Sequence, residues 1–471
     1  MTHVVVLGAG PAGVLAAIRA ADLGARTTLV CSAEFGGMAA NDGPVPIRTL
    51  AYAARLIREA HQLPRYGITA AEPALEFDRL LGRVQEVVQD VRARSALRER
   101  IDTLGVTLHQ QVGAARFVDP QTIETERGLR LRGDKFIVCI GGVNRRLAIP
   151  GIDLTSSPGE ALRLAAIPRS MLVVGAGSSG VQVASMFHAF GTRVQLFETG
   201  PRILPGEDEA VAAEVSNELR AMGVAVHERF GRITSFEKTP AGLTRMNIRV
   251  GEREASAEAA MVVVAAGWVP DTARLNPTAA GILVDPRGTI RVDQFLRTSA
   301  PHIFAAGDVT GRLMLVPGAI EDGFVAATNA VQGSTLPLLR RVSPAGSFTH
   351  PEYAQVGLTE AQARESHDVV TTVMPFDATV RAIIEGRTFG FCKVVVDRAS
   401  SRILGCHVVG ERAVEIAQLA AIAMTAHLTV DELARVAVSF PTYAEVLVYA
   451  AVRAAVELGL PLSGQAEHVG A

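Results

Sequence analysis

A chain of 471 residues is long enough for about three domains. Hydrophobic residues make up 48% of it and charged residues 20%, a composition that supports large buried cores and excludes extensive disorder. The formal net charge of −2 removes the positive surface field that a binder of nucleic acid or of anionic membranes needs. We therefore expect neither kind of partner.

The cysteines and the apolar segments exclude further classes. Cys31, Cys139, Cys392 and Cys406 have spacings that fit neither a disulfide scaffold nor a zinc site, and no metal site is predicted. The N-terminus has neither the basic region nor the cleavage site of a signal peptide. No apolar stretch has the length of a membrane span. The sequence therefore predicts a soluble cytoplasmic protein.

The chain begins with a predicted βαβ unit. Residues 4–7 are a short apolar run typical of a buried parallel strand, a helical composition extends to Leu23, and residues 26–30 form a second strand. Between the first strand and the helix lies a GxGxxG turn, which can present helix N-terminal N–H groups to a pyrophosphate. Its Pro-Ala pair is typical of FAD sites. The predicted FAD contacts in this turn are Gly8, Gly10, Pro11, Ala12 and Gly13.

Helices and then short strands are predicted after this unit. Residues 51–104 are rich in Arg, Glu and Ala and indicate long helices. Residues 111–117, 121–126 and 135–140 indicate strands. Residues 148–151 end this part with a Pro-Gly pair, which is typical of a turn.

A second βαβ unit follows. Residues 171–174 predict a strand, the stretch up to Phe190 predicts a helix, and residues 193–198 predict the returning strand, with another GxGxxG turn between the first two. Two such units indicate two dinucleotide-binding domains. Because the first turn is assigned to FAD, the second should bind NAD(P). The predicted contacts in the second turn are Gly175, Gly177, Ser178 and Gly180.

Acidic residues near the strand ends indicate which nucleotide is bound. Glu198 ends the second strand of the second unit, where a carboxylate can accept both ribose hydroxyls of NADH and repel a 2′-phosphate. NADH is thus preferred, although NADPH stays open because Arg202 is close; a solvated strand end is the other interpretation of Glu198. In the first unit Cys31 occupies this place, with Glu34 as the substitute acceptor.

Residues 302–308 form a third signal, because they read as a strand ending in Gly307-Asp308. The Asp308 carboxylate can reach the ribityl hydroxyls of a flavin, although it also fits an ordinary turn. The remaining sequence mixes strands at 390–397 and 402–409 with helices at 413–426 and 442–458. The predicted fold class is α/β, with two Rossmann-like dinucleotide-binding domains and an α+β C-terminal domain.

These motifs, in this order, resemble the flavoprotein pyridine nucleotide-disulfide oxidoreductases, the family of dihydrolipoamide dehydrogenase and mercuric reductase. The resemblance covers essentially the whole chain and includes residues 264–272, 381–390 and 440–445. It adds Gly37 and Gly267 to the cofactor contacts, and it implies a homodimer whose C-terminal domain completes the partner's active site. The implied domains are 1–150 with 271–335 for FAD binding and the central domain, 151–270 for NAD(P), and 336–471 for dimerisation.

The chain departs from this family at its redox centre. Ala39 and Pro44 stand where the resemblance implies two cysteines, and Phe440 stands where it implies the catalytic histidine, although its orienting acid, Glu445, is present. Two thiols are needed for a redox disulfide, and a phenyl ring cannot transfer a proton. We therefore expect that the usual reduction of disulfides does not occur.

The nicotinamide side has changed as well. The resemblance implies a lysine, a glutamate and a tyrosine at the positions of Arg48, Gln182 and Ser178. A permanent charge on Arg48, beside Gln182, should stabilise the reduced flavin, and Ser178 should open the nicotinamide pocket. The alternative interpretation of Arg48 is a solvated residue of a first helical turn. The predicted catalytic residues are Arg48, Gln182, Phe440 and Glu445.

The predicted function is direct transfer of electrons from NADH through FAD to an external acceptor. Ala39, Pro44 and Val45 should form an apolar pocket, closed by the partner subunit's Phe440 and Tyr443, which suits a flat molecule such as a quinone. Two alternatives stay open. One is a soluble pyridine nucleotide transhydrogenase, and the other is a non-catalytic FAD-binding sensor or scaffold.

Overall fold

The computed structural model describes residues 1–339 and 342–462 of the chain. Its strands are β1 (His3–Leu7), β2 (Arg26–Val30), β3 (Thr107–His109), β4 (Ala115–Asp119), β5 (Thr122–Thr125), β6 (Arg130–Arg132), β7 (Lys135–Val138), β8 (Gly142–Asn144), β9 (Ser170–Val174), β10 (Arg193–Glu198), β11 (Ala225–Glu228), β12 (Arg232–Lys238), β13 (Thr244–Val250), β14 (Arg253–Ala259), β15 (Met261–Val264), β16 (Trp268–Pro270), β17 (Ile303–Ala305), β18 (Ala345–Ser347), β19 (Tyr353–Gly357), β20 (Val369–Pro375), β21 (Gly390–Asp397) and β22 (Ile403–Gly410). Its helices are α1 (Pro11–Asp22), α2 (Gly37–Asn41), α3 (Pro44–Ala60), α4 (Phe77–Ala93), α5 (Ala96–Thr103), α6 (Pro158–Ala161), α7 (Ser178–Ala189), α8 (Glu209–Ala221), α9 (Val316–Gln332), α10 (Glu360–Arg364), α11 (Val380–Glu385), α12 (Ala413–Thr425), α13 (Val430–Ala434) and α14 (Glu445–Glu457).

The first predicted unit folds into a parallel sheet with the strand order β17-β7-β1-β2-β3. β1 is buried along its whole length, and strands pair with both of its edges. α1 follows β1 after the glycine turn and packs against α9. The strands predicted at 4–7 and 26–30 and the helix up to Leu23 are confirmed to within one residue at these ends.

The strand predicted over 111–117 is wrong at its start. Gln111 and Gly113 have left-handed φ angles of 56° and 76°, and the N–H of Gln111 donates to the carbonyl of Ala33. This local turn carries the chain past the end of β2, so that β4 begins only at Ala115. β1 pairs with one edge of β2, and the short β3 pairs with the other edge. The sequence pattern did not predict β3.

The second predicted unit repeats the arrangement, with the parallel order β11-β10-β9-β15. Its helix α7 begins at Ser178, directly after the glycine turn, and an antiparallel sheet of β12, β13 and β14 is added to it. A two-stranded ribbon of β8 and β16 joins the two units, with Trp268 opposite Asn144. The predicted domain boundaries at 150 and 270 lie close to this ribbon and stay predictions.

The C-terminal part is an antiparallel sheet with the order β18-β19-β22-β21-β20. α12 lies against β19 and β22, and α14 lies against β20 and β21, so that apolar faces of both helices are buried. The last predicted helix begins three residues late, because Thr442 donates its N–H to the Glu445 carboxylate in a turn. Residues 463–471 of this predicted domain lie outside the described residues. No helix in the described ranges is both long enough and apolar enough to cross a bilayer.

A buried ion cluster connects the C-terminal sheet to the second dinucleotide unit. The ammonium of Lys393 on β21 lies 2.9 and 3.0 Å from the Asp208 carboxylate oxygens and 2.6 Å from a Glu360 oxygen. Lys393 is 5% exposed and Asp208 2%. Asp208 also caps α8 by accepting the N–H of Ala210. Because the two carboxylates share one buried cation, the cluster depends on Lys393.

We expect Lys393→Met to lower the free energy of unfolding by about 3 kcal/mol, since it leaves buried carboxylates without their cation. Urea unfolding followed by circular dichroism measures this loss. Arg364→Met is the matched control, because Arg364 also contacts Glu360 but is exposed, and its loss should cost less than about 1 kcal/mol. Equal losses in both variants would contradict the role given to burial.

Candidate active site

A cavity of about 940 Å³ opens at the carboxyl ends of the first parallel sheet. Its walls are the turn after β1, residues that follow β2, β7 and β17, the α2–α3 segment and residues 344–348. Ligands of open α/β sheets bind at this edge. The predicted flavin contacts that line it are Gly8, Gly10, Pro11, Ala12, Glu34, Gly37, Gly307 and Asp308.

At the glycine turn the backbone forms a cradle and packs so closely that Gly13 and Gly37 could not carry a side chain. A Cβ atom on Gly13 would lie 1.7 Å from the carbonyl oxygen of Gly8, and one on Gly37 would lie 2.6 Å from the Cα of Gly10. Gly13 itself lies beneath the turn rather than on the cavity wall. The first turn of α1 carries no acidic residue, so its free N–H groups face the cavity without an internal anion.

Two carboxyl groups organise the residues that follow β17. Asp308 lines the cavity, burial raises its pKa, and its side chain has no hydrogen-bond donor within the described residues. Asp322 on α9 accepts the N–H of Gly307 at 3.1 Å, and burial raises its pKa to about 6. Asp322, which the sequence analysis missed, therefore holds the backbone that presents Asp308. An acceptor at a cavity wall without a protein donor suits the hydroxyl groups of a ligand.

At the end of β2, Cys31 stands where a ribose-binding acid is usual in such units. Cys31 lines the cavity and donates its thiol to the carbonyl of Glu34 at 3.2 Å. Glu34 also lines the cavity, and its carboxylate accepts a hydrogen bond from the Gln111 amide. Its role as the ribose acceptor stays a prediction. The cavity volume, the glycine cradle and Asp308 together fit FAD.

The α2–α3 segment forms the wall where the family resemblance implies a disulfide. Met38, Ala39 and Pro44 line the cavity there. The thiols of Cys31 and Cys139 lie by the glycine turn, and burial raises the pKa of each. Cys392 and Cys406 are 3.7 Å apart, but both are buried in the C-terminal sheet. In the parts of the chain that the structure describes, no group of His, Cys, Asp or Glu side chains could hold a metal ion.

Arg48 lies on the cavity wall, where it stacks on an aromatic ring. Its guanidinium carbon lies 3.6 Å from the centre of the Phe348 ring, and burial lowers its pKa. Gln182 lies on α7, a helix that packs against α3, and it is not among the residues that line the cavity. Phe348, from the C-terminal part, holds the guanidinium by a cation–π contact, and the expected pairing of Arg48 with Gln182 stays a prediction.

The turn after β9 repeats the geometry of the first. A Cβ atom on Gly180 would lie 1.8 Å from the carbonyl oxygen of Gly175, and Gly177 caps the amino end of α7. Gly267 has a left-handed φ of 96° and lies where β15 leads into β16. All of them lie near the carboxyl ends of the second parallel sheet, as a dinucleotide site requires.

Glu198 and Arg202 have clear hydrogen-bond partners. The Glu198 carboxylate accepts the N–H groups of Ala176 and Gly200 at 2.9 and 2.8 Å, which holds it at the end of β10. The Arg202 guanidinium donates to the carbonyls of Leu204 and Glu207 at 2.6 and 2.9 Å. Arg202 is therefore engaged with its own loop.

The exposed Ser178 lies above a buried polar group that the sequence analysis missed. Tyr353 is 1% exposed, and its hydroxyl lies beside the side chains of Ser178 and Ser347 without a well-formed hydrogen bond. Glu207 has a buried carboxylate oxygen without a partner in the described structure. Burial, with a smaller contribution from Asp208, raises the pKa of Glu207 to about 7. An aromatic residue entering from the C-terminal sheet thus lies under the position of the family's tyrosine.

The residues predicted for the partner's active site separate into two groups. Phe440 is 70% exposed, whereas Glu445 is 3% exposed and accepts the N–H of Thr442 at 3.2 Å. Tyr443 is buried in its own chain, where its hydroxyl donates to Glu385 at 2.9 Å. The Tyr443 side chain is thus held within its own chain, whereas Phe440 is exposed, and closure of a partner's pocket by these two residues stays a prediction.

The rim of the cavity carries residues that no sequence motif indicated. Arg92 and Arg163 line it and are hydrogen-bonded to Asn41 and Asp42. Phe348, Val414 and Gln418 come from the C-terminal part. These residues are distant in sequence from the glycine turns, and no local pattern distinguishes them from ordinary helix residues.

Two glycine-cradled dinucleotide turns joined to an antiparallel C-terminal domain define a protein with paired dinucleotide sites. Residues 2–323 match the model of the pyridine nucleotide-disulphide oxidoreductases, and residues 343–451 match that family's dimerisation domain. The chain belongs to this family, whose members are FAD-dependent NAD(P)H oxidoreductases.

Relatives of named function cover nearly the whole chain. A mercuric reductase of Bacillus cereus is 30% identical over 94% of this chain and 69% of its own length. A dihydrolipoyl dehydrogenase of Thermus scotoductus is 34% identical over 95% and 96% of the two chains. Among solved structures, the HOCl-induced flavoprotein disulfide reductase RclA of Escherichia coli has a TM-score of 0.83 and 27% identity, covering 94% of this chain and 98% of its own. The predicted family and fold class are therefore confirmed.

We expect Glu207→Gln to stabilise the protein at pH 8 and to have no effect at pH 4.5 or below. A carboxyl whose pKa is about 7 when folded and about 4.5 when unfolded binds its proton more tightly in the folded state, so the wild type loses stability as the pH rises through this interval. The size of the pKa shift limits the gain in the free energy of unfolding to about 3 kcal/mol. Solvent screening reduces the expected gain to about 1 kcal/mol.

Urea unfolding at pH 4.5 and pH 8 measures the effect of Glu207→Gln. Glu252→Gln, at an exposed turn, is the control and should show no gain at either pH. A Glu207→Gln gain that is the same at both pH values would contradict the assigned protonation.

Proposed function

We propose that the protein is an FAD-dependent NADH oxidoreductase that passes electrons to a small external acceptor without a disulfide relay. The observation that carries this proposal is the cavity wall formed by Met38, Ala39 and Pro44. None of the four cysteines lies in that segment, and a dithiol relay requires two thiols next to the acceptor of electrons. Under this proposal, the disulfide reductase RclA shares the fold of this protein but not its route of electron transfer.

FAD, when bound, takes a hydride from NADH and delivers two electrons to the acceptor; for a quinone, NADH, a proton and the quinone yield NAD⁺ and the hydroquinone. The chain's own groups orient the ligands and tune the reactivity of the flavin. Asp308 would accept hydrogen bonds from ligand hydroxyls, and the free N–H groups at the start of α1 would hold phosphate groups. Arg48 supplies a permanent positive charge at the wall, which favours negative charge in the cavity. The additional proton of the hydroquinone comes from solvent, and no thiolate has to be protonated by a histidine.

NADH is the proposed donor because of two side chains at the end of β10. The carboxylate of Glu198 is held in place by backbone N–H groups, so it can accept ribose hydroxyls and oppose a 2′-phosphate. Arg202, the cation that left NADPH open, donates to carbonyls of its own loop. It would have to give up these hydrogen bonds to bind a phosphate.

A flat acceptor of the quinone type fits the apolar wall best. The proposed enzyme is a homodimer, in keeping with the matched dimerisation domain. Phe440 is exposed and lies at the position from which the family resemblance brings a side chain to the other subunit's flavin. The partner subunit's Phe440 would then cover the acceptor with an apolar ring.

We expect that thiol alkylation leaves electron transfer to the acceptor intact. The FAD-loaded enzyme is reduced with NADH under anaerobic conditions, treated with N-ethylmaleimide, and then mixed with a quinone in a stopped-flow instrument. The rate of flavin reoxidation should stay within twofold of the untreated enzyme, because no redox thiol takes part. A loss of more than tenfold would contradict direct transfer. A flavin that NADH does not reduce at all would instead support the non-catalytic alternative.

We expect the wild type to reduce its flavin at least tenfold more efficiently with NADH than with NADPH. Glu198→Gln keeps the hydrogen-bonding shape but removes the charge that repels a 2′-phosphate, so it should bring the two donors within about threefold by improving NADPH. Stopped-flow reduction with each nucleotide gives both ratios, and Glu252→Gln is the control. Equal use of both nucleotides by the wild type would favour the transhydrogenase alternative.

A further inference from the structure

A second cavity, of about 470 Å³, lies between α3, residues 348–352 and the ends of β21 and β22. It is distinct from the dinucleotide cavity but shares Arg48 and Phe348 with it. Charged side chains from four separate parts of the chain line this cavity. They are Arg48, Arg55, Arg58, Glu59, His350, Glu352, Arg387, Glu411, Arg412 and Glu415.

Some of these charges are paired inside the protein. Arg55 contacts Glu59 and Glu411, each at 2.6 Å, and Arg412 lies 3.5 Å from Glu411. Glu352 accepts the N–H of Val414 at 2.9 Å. These contacts engage Glu59, Glu352 and Glu411, whereas Glu415 is exposed.

Arg58 and Arg387 are not paired. Both are half-buried, and within the described residues neither guanidinium has a hydrogen bond or an ion pair. Burial and the charges of Arg387 and Arg55 lower the pKa of Arg58 to about 10, against smaller opposing effects of Glu411 and Glu59. The same three arginines, together with burial, lower the pKa of His350 to about 3, so the imidazole is neutral and adds no charge.

We propose that this cavity binds an organic anion whose carboxylate or phosphate group is held by Arg58 and Arg387. A guanidinium taken out of water without a partner is costly, and two that repel each other are more so. A planar anion that accepts paired N–H bonds from each guanidinium removes this cost. The site concerns a second ligand and does not depend on the identity of the electron acceptor.

The rest of the lining indicates that the ligand has an apolar body. Phe348, Phe389, Ala51 and Pro351 line the same cavity, whose volume is in the range of small-molecule sites. An inorganic ion would contact the arginines alone and leave these surfaces unused. An aromatic carboxylate or aromatic phosphate ester fills both parts. Because Arg48 lines both cavities, the bound anion lies next to the wall of the dinucleotide cavity.

The test uses FAD-loaded protein without NADH, in a buffer free of phosphate and carboxylate. Benzoate and phenyl phosphate are titrated by calorimetry, with sodium chloride at matched ionic strength as the control, and the two probes distinguish the two anion types. We expect at least one probe to bind and to raise Tm. Arg58→Met should weaken this binding at least tenfold, Arg58→Lys should weaken it less, and Arg253→Met, an exposed arginine elsewhere, should leave it unchanged.

The anion-free protein provides a second measurement. If Arg58 is an unpaired charge awaiting a ligand, Arg58→Met should raise Tm in the anion-free buffer, because it relieves repulsion. A structural arginine would instead lower Tm when replaced. The proposal is overturned if neither probe binds, or if Arg58→Met binds the probes as well as the wild type. Sedimentation showing that Arg58→Met weakens the dimer, with probe binding unchanged, would also overturn it and assign Arg58 to the subunit contact.

Discussion

Close contact between backbone and backbone at the two glycine turns is the constraint on which the rest of this structure depends. Gly13 lies against the carbonyl of Gly8, and Gly180 against that of Gly175, at distances that exclude any side chain. Each contact brings a helix N-terminus to the carboxyl edge of a parallel sheet. The cavity and the positions of Asp308 and Glu198 follow from it, since both acids lie at that edge.

The close packing at the glycine turns involves no thiol of the α2–α3 segment, which contains no cysteine. Ala39 and Pro44 occupy a short helical segment whose place is set by Gly37 packing on Gly10. Changing the chemistry of this segment leaves the cradle and the sheets intact. A chain can therefore share about 30% of its sequence with mercuric reductases and dihydrolipoyl dehydrogenases over 94% of its length and still have Met38, Ala39 and Pro44 on the cavity wall.

Buried charge is treated in three different ways in this molecule. Lys393 is paired with two carboxylates across a domain contact. Glu207 has a pKa near neutrality, so burial favours its uncharged form. Arg58 and Arg387 are half-buried and keep their protons at ordinary pH, and the partner we propose for both is an external anion. All three cases arise from the cost of desolvating a charge. They differ in how that cost is offset: by an ion pair, by protonation or by a proposed ligand.

The two βαβ units and their turns could be predicted from the sequence alone, because each is a run of consecutive residues whose spacing reflects local geometry. Gly8–Gly13 and Gly175–Gly180 lie where that spacing predicts. The tertiary fold alone places Arg48 on Phe348, buries Tyr443 in its own chain and brings Arg58 and Arg387 to one cavity. These contacts join residues far apart in the chain. They depend on how α3 packs on the C-terminal part and on how Tyr443 meets α11, which no local pattern specifies.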